Sequence, residues 1–150
     1  MIGFLAITFV AASVGSVATL RNVQTWYPTL TKPTWTPPNA VFGPMWTFLY
    51  FAMAVAAWRV WRAQSGTAGT AVLRSYGAQL CLNVLWSVLF FGLRRPDLAL
   101  VDIAALWIVL TIFWVRSWHV DVVARVLWGT YVAWVSFAAA LNAAVWHLNR

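Results

Sequence analysis

Five long apolar stretches follow one another along the chain, separated by short clusters of polar, basic and proline residues. They run from Ile2 to about Leu20, from Phe42 to about Trp61, from Val72 to Leu93, from Asp97 to Trp114 or Ser117, and from Val122 to about Trp146. Roughly 20 helical residues cross a hydrocarbon layer of about 30 Å, so each stretch is long enough to span a membrane. Transmembrane β-strands are shorter, about 10 residues, and alternate with period two. No stretch here alternates in that way. The pattern predicts one all-α domain over residues 1–150, an integral membrane bundle of five transmembrane helices. Short connections between neighbours imply an up-and-down arrangement, and an odd helix count puts the two termini on opposite sides.

The polar connections sharpen this picture. Arg21 to Ala40 is the longest of them and carries prolines at 28, 33, 37 and 38. Four fixed φ angles exclude a long helix, while Trp26, Tyr27 and Trp35 give the segment apolar surface to dock, so this first loop is expected to act as a packed lid. Pro44 suits the first turn of the second helix. QSGTAGT, Gln64 to Thr70, reads as a loop. Arg94, Arg95 and Pro96 make a tight connection, and Arg116 to Asp121 makes another. Ala11, Ala12, Gly15 and Ser16 in the first stretch suit close helix contact. A cleaved signal peptide is disfavoured there, because the basic leader is missing and the apolar run is too long.

Composition agrees. Hydrophobic residues make up 63% of the chain and charged residues 9%, against about 25% charged in a soluble domain. The net charge of +7 has to be read by position. Arg59, Arg62, Arg74, Arg116 and Arg125 fall at one end of the bundle, and Arg21, Lys32, Arg94, Arg95 and Arg150 at the other. This tie leaves the orientation rule without a preference. The basic residues sit where lipid headgroups lie rather than in a stripe with interleaved aromatics, so membrane lipid is the expected partner and nucleic acid is not. Cys81 is the only cysteine; it cannot form an intrachain disulfide and reads as a small buried residue.

Twelve tryptophans exceed what an interfacial belt needs. Trp58, Trp61, Trp118 and Trp146 fit the belt. On helical spacing Trp46, Tyr50 and Met53 share one face, Tyr76, Gln79, Asn83, Trp86 and Phe90 a second, and Tyr131, Trp134, Ala138 and Asn142 a third. Aromatic rings edged by amides and phenols commonly line pockets for flat, mostly apolar ligands; ordinary interhelical packing is the alternative for any one of them. Asp102 lies about one and a half turns into its helix. Either it is a helix-start acid neutralised by Arg94 or Arg95, or it has a proton or ligand role. His119 and His147 lack a third partner at metal spacing, so no metal is expected. No acid pair, nucleophile motif or phosphate loop occurs.

The segment WYPTLTKPTWTPPNAVFGPMWTFLY, Trp26 to Tyr50, resembles the TspO family of tryptophan-rich sensory proteins, also called translocator proteins or peripheral benzodiazepine receptors. The resemblance continues through QLCLNVLWSVLFFG from Gln79, LALVD from Leu98 and YVAWVSFAAALNAAVW from Tyr131. It implies a five-helix bundle, commonly a homodimer, that binds porphyrins, haem-related tetrapyrroles and benzodiazepine-type ligands beneath the first loop. No covalent cofactor is implied; the porphyrin is ligand or substrate. Carried over residue by residue, the ligand positions are Tyr27, Trp46, Asn83, Trp86, Trp134, Ala138 and Leu141. Some bacterial relatives are credited with light-dependent porphyrin breakdown, and the tryptophans implicated match Trp46 and Trp134. The sterol motif of animal relatives is broken at Ala143 and His147, and the family's Pro-Tyr pair in the fifth helix is replaced by Gly129, Thr130 and Tyr131. The resulting expectation is a bacterial membrane receptor or carrier that couples porphyrins to signalling, trafficking or disposal. A photo-oxidative porphyrin-degrading enzyme is the first alternative and a lipid or sterol carrier the second.

Overall fold

The computed structural model describes residues 1–150. It consists of five helices: α1 (Ile2–Thr25), α2 (Asn39–Ala63), α3 (Gly66–Ser87, continued as a π-helical segment Val88–Gly92), α4 (Pro96–Ser117) and α5 (Val122–Leu148). A single 3-10 turn, Tyr27–Thr29, interrupts the first loop. All five helices are long and apolar enough to cross a membrane, as the sequence pattern predicts. α1 packs between α2 and α3, α4 between α3 and α5, and α5 against α2, so the helices close a ring in the order α1, α2, α5, α4, α3.

Several boundaries differ from the sequence reading, each for a local reason. α1 and α2 both extend into the expected lid, which leaves residues 26–38 as the connection. Pro44 consequently lies inside α2, not in its first turn; having no N–H, it cannot bond the Ala40 carbonyl. The expected loop Gln64 to Thr70 contracts to Gln64 and Ser65, and α3 starts at Gly66, whose φ of 58° only glycine adopts without cost. Thr70 Oγ1 then donates back to the Gly66 carbonyl at 3.3 Å, so the polar residues are absorbed into the first helical turn. Pro96 begins α4, where its missing N–H is no loss. Asp121 caps α5 by accepting from the Ala124 backbone N–H at 2.7 Å.

Of the small residues of α1, Gly15 does what their spacing predicts: a Cβ there would lie 3.3 Å from Ser87 Oγ, so glycine lets α1 approach α3. Thr8 of α1 is hydrogen-bonded to the Tyr76 hydroxyl of α3. The interfacial tryptophans are braced by guanidinium groups, with Arg62 4.8 Å from the Trp58 ring, Arg125 4.7 Å from Trp118 and Arg150 5.4 Å from Trp146. Cys81, expected to be buried, is exposed on the outer surface of α3, because it lies off the Tyr76–Gln79–Asn83 stripe that turns inward.

Candidate ligand pocket

The bundle is solid at one end and hollow at the other. Near the carboxyl end of α2 the interior is filled by Leu49, Met53, Ala56 and Val60 against Leu106, Leu110 and Trp128. Toward the first loop, α1, α2, α3 and α5 diverge around a cavity of about 740 Å³, within the size range that holds drug-sized ligands. Trp46 of α2, Trp86 of α3, Trp134, Ala138 and Leu141 of α5, and Tyr27 of the loop all line it. Six of the seven ligand positions expected from the family resemblance are therefore brought to one surface.

The stripes seen in the sequence divide at this boundary. Their loop-side residues face the cavity: Trp46 and Tyr50, Trp86 and Phe90, Trp134, Ala138 and Asn142. Met53, Tyr76, Gln79 and Tyr131 are buried in the solid half. Asn83, the seventh expected position, belongs with that second group and does not line the cavity. It is 3% exposed; its Oδ1 accepts from Tyr50 OH at 2.9 Å and its Nδ2 donates to Tyr131 OH at 3.1 Å. Tyr131 OH donates in turn to Gln79 Oε1 at 3.1 Å. The amide is spent on two tyrosines, and its part in the site is to fix the floor and the angle of Tyr50.

The walls are preset by similar means. Trp86 stacks on Phe90, with ring centroids 5.1 Å apart and planes 22° from parallel, and its Nε1 donates to Asn142 Oδ1 at 3.0 Å. Asn142 Nδ2 is held by the Pro96 carbonyl at 2.8 Å, which ties the wall to the start of α4. The Trp134 indole N–H has no partner within the protein. The π-helical turn lets the adjacent Phe90 and Phe91 both reach the cavity, and the Phe91 carbonyl is met by Asn22 Nδ2 at 2.8 Å. No motif in the sequence marks that widened turn, although such turns recur at functional sites. The α1 wall, where Ser16 and Val23 face the cavity, is not legible in the sequence; the Gly15–Ser16 pair is the only signal there, and its spacing points to helix packing.

The first loop is docked, as expected of a lid. Tyr27 is 5% exposed and its ring lies 5.8 Å from that of Phe91; burial pushes its phenol above the ordinary value. Lys32 Nζ donates to the Tyr27 carbonyl at 2.8 Å and the Leu30 carbonyl at 3.0 Å. Asn149, after α5, bonds both the N–H and the carbonyl of Thr31 at 2.9 Å. One sequence expectation is borne out here and one changes. α5 is one unbroken helix from Val122 to Leu148, and Gly129 receives the Trp114 indole, whose Nε1 would be 3.1 Å from a Cβ there. Asp102 is not neutralised by Arg94 or Arg95, since Arg94 donates to Asn22 Oδ1 at 2.9 Å and Arg95 is paired with Asp97 at 2.6 Å.

Chemically, the cavity offers rigid aromatic faces with a few amide, phenol and indole groups. It holds no nucleophile–base pair, and no three His, Cys, Asp or Glu side chains converge anywhere in the chain. A flat apolar molecule is what such walls contact well.

Known proteins resemble this chain over nearly its whole length. The sequence profile described as TspO/MBR family matches residues 4–147. The tryptophan-rich protein TspO of Archaeoglobus fulgidus is 43% identical over 135 residues, covering 90% of this chain and 87% of the relative. The tryptophan-rich sensory protein of Cereibacter sphaeroides is 40% identical, with 97% and 91% covered. The human translocator protein is 36% identical, with 99% and 89% covered. With a profile match across nearly the whole sequence and relatives aligned almost end to end, the chain belongs to the TspO/MBR family of multi-pass membrane proteins.

Proposed function

We propose that this chain is a membrane receptor or carrier that binds porphyrin-type tetrapyrroles, and competing benzodiazepine-type ligands, in the cavity beneath the first loop. The observation that carries the reading is the set of three indoles, Trp46, Trp86 and Trp134, around one cavity of about 740 Å³ that Tyr27 of the first loop also lines. Aromatic walls contribute about 0.5–1.5 kcal/mol per contact beyond buried area. They are preset here, so little ordering is lost on binding. Titrating the purified protein with protoporphyrin while following tryptophan quenching should give saturable, one-site binding that a benzodiazepine-type ligand displaces. Quenching that rises without saturation, or that no such ligand competes away, would end this reading.

The photo-oxidative alternative rests on Trp46 and Trp134 lining the same cavity, since indole is far more readily oxidised than a phenyl ring. Illumination under nitrogen separates the two: binding persists without oxygen, whereas breakdown, which needs oxygen as oxidant, stops. A homodimer in the membrane forms part of the proposal, checked by crosslinking in lipid. A sterol carrier is disfavoured by Ala143 and His147 at the broken motif.

A further inference from the structure

The chain has only three acidic residues, Asp97, Asp102 and Asp121. Two of them meet forked guanidinium pairs at the ends of the bundle. Arg95 reaches the two Asp97 oxygens at 2.8 and 2.6 Å, and Arg59 reaches those of Asp121 at 2.9 and 2.8 Å. Asp102 meets none: it is 7% exposed, and both carboxyl oxygens are buried without a hydrogen-bond partner. Six residues beyond Pro96, it lies roughly 9 Å along α4 at 1.5 Å per residue, inside the membrane-spanning length of the helix. It is not part of the cavity wall.

The elements packed on α4 offer it no cation. They are α3, the π-helical segment and α5. α3 contributes Arg74 and Cys81, both exposed, and Tyr76, which is bonded to Thr8; the π-helical segment has no titratable group. α5 contributes Arg125, which rests on Trp118, Tyr131, which is bonded to Asn83 and Gln79, and His147, which is exposed at the chain end. α4 itself adds only Asp97 and the exposed Arg116. Arg94 and Arg95 are engaged elsewhere. An unpaired carboxylate at this depth is far more costly than a neutral carboxylic acid, which must satisfy only one donor. We infer that Asp102 is a proton-binding site of the bundle interior, separate from the ligand cavity and carrying its proton in the folded protein.

Infrared spectroscopy of the full-length protein in lipid tests this, because the carbonyl stretch of a protonated carboxyl in apolar surroundings stands clear of the amide bands. At pH 7 the wild-type protein should give one such band, shifted in heavy water. The band should persist in the Asp97→Asn/Asp121→Asn double variant, where Asp102 is the last acidic side chain. It should vanish in Asp102→Asn, with melting unchanged or raised, since the amide fills the same space and never ionises. Absence of the band in both wild type and double variant would overturn the inference, as would a band that survives Asp102→Asn. Should Asp102→Asn fail to fold, presence or loss of the band in the double variant decides alone.

Discussion

Asn83→Ala separates a floor residue from a ligand-binding one. The substitution removes the acceptor of Tyr50 OH and the donor to Tyr131 OH, at 2.9 and 3.1 Å; it leaves the half-buried Tyr50 phenol at the cavity edge without a partner and the buried Tyr131 phenol with Gln79 alone. Interhelical hydrogen bonds in membranes average about 0.6 kcal/mol and reach about 1.7, while a buried polar group stripped of its partner costs about 1–3. Two such bonds put the loss of stability at roughly 1–3 kcal/mol. Asn83 does not line the cavity, so ligand affinity should change less than about threefold, under about 0.7 kcal/mol when a factor of ten is worth 1.4. Unfolding in detergent and protoporphyrin titration, run on one preparation, measure both quantities. A cycle with Tyr50→Phe should return a coupling of about 0.5 kcal/mol or more, because the two side chains share one bond. Unchanged melting together with a tenfold loss of affinity would refute the reasoning and make Asn83 a direct ligand contact.

The lid predicts that Pro37→Gly/Pro38→Gly raises the protoporphyrin dissociation constant several-fold in the quenching titration, since each glycine adds about 0.4–1 kcal/mol of loop freedom that docking must remove; an unchanged constant would count against the lid. Ala138→Leu should lower affinity by pushing a larger side chain into the cavity wall, while Trp134→Phe should bind nearly normally but slow any light-driven breakdown, followed as loss of porphyrin absorbance. Gly129→Ala should lower the unfolding free energy by about 1 kcal/mol, because its Cβ would press at 3.1–3.2 Å on a Trp114 ring whose Nε1 is held by the Arg125 carbonyl, outweighing the gain in helix propensity. The Arg59 guanidinium holds the Asp121 carboxyl below its ordinary range. The folded value is thus depressed, and the pair stabilises the fold fully above about pH 4 and progressively less as pH falls through the folded value. Melting followed from pH 7 to pH 3 should therefore drop on the acid side, and Asp121→Asn should lower melting at pH 7 while shrinking that acid drop.

The sequence by itself determined the membrane bundle, the number of helices and most of the cavity's aromatic wall. Twenty-residue apolar runs have one stable solution in hydrocarbon, since every backbone N–H and carbonyl must be satisfied within the segment, and a three-or-four step places Trp46 with Tyr50 and Trp134 with Ala138 on one face whatever the neighbours are. Periodicity gives direction around a helix but not depth along the bundle, and depth was left to the tertiary structure. Whether a stripe residue touches a ligand or the core depends on where the helices diverge, and that point falls between Asn83, bonded to Tyr50 and Tyr131, and Trp86, which faces the cavity. The π-helical turn that turns both Phe90 and Phe91 inward depends on Asn22, 69 residues away, meeting the freed carbonyl. The isolation of Asp102 likewise depends on choices made by other residues: Arg94 and Arg95 stand beside it in sequence, yet Asn22 and Asp97 hold them in space. Pairing between distant side chains is settled only when the helices pack, because the same basic residue can reach several partners and only the assembled geometry selects one.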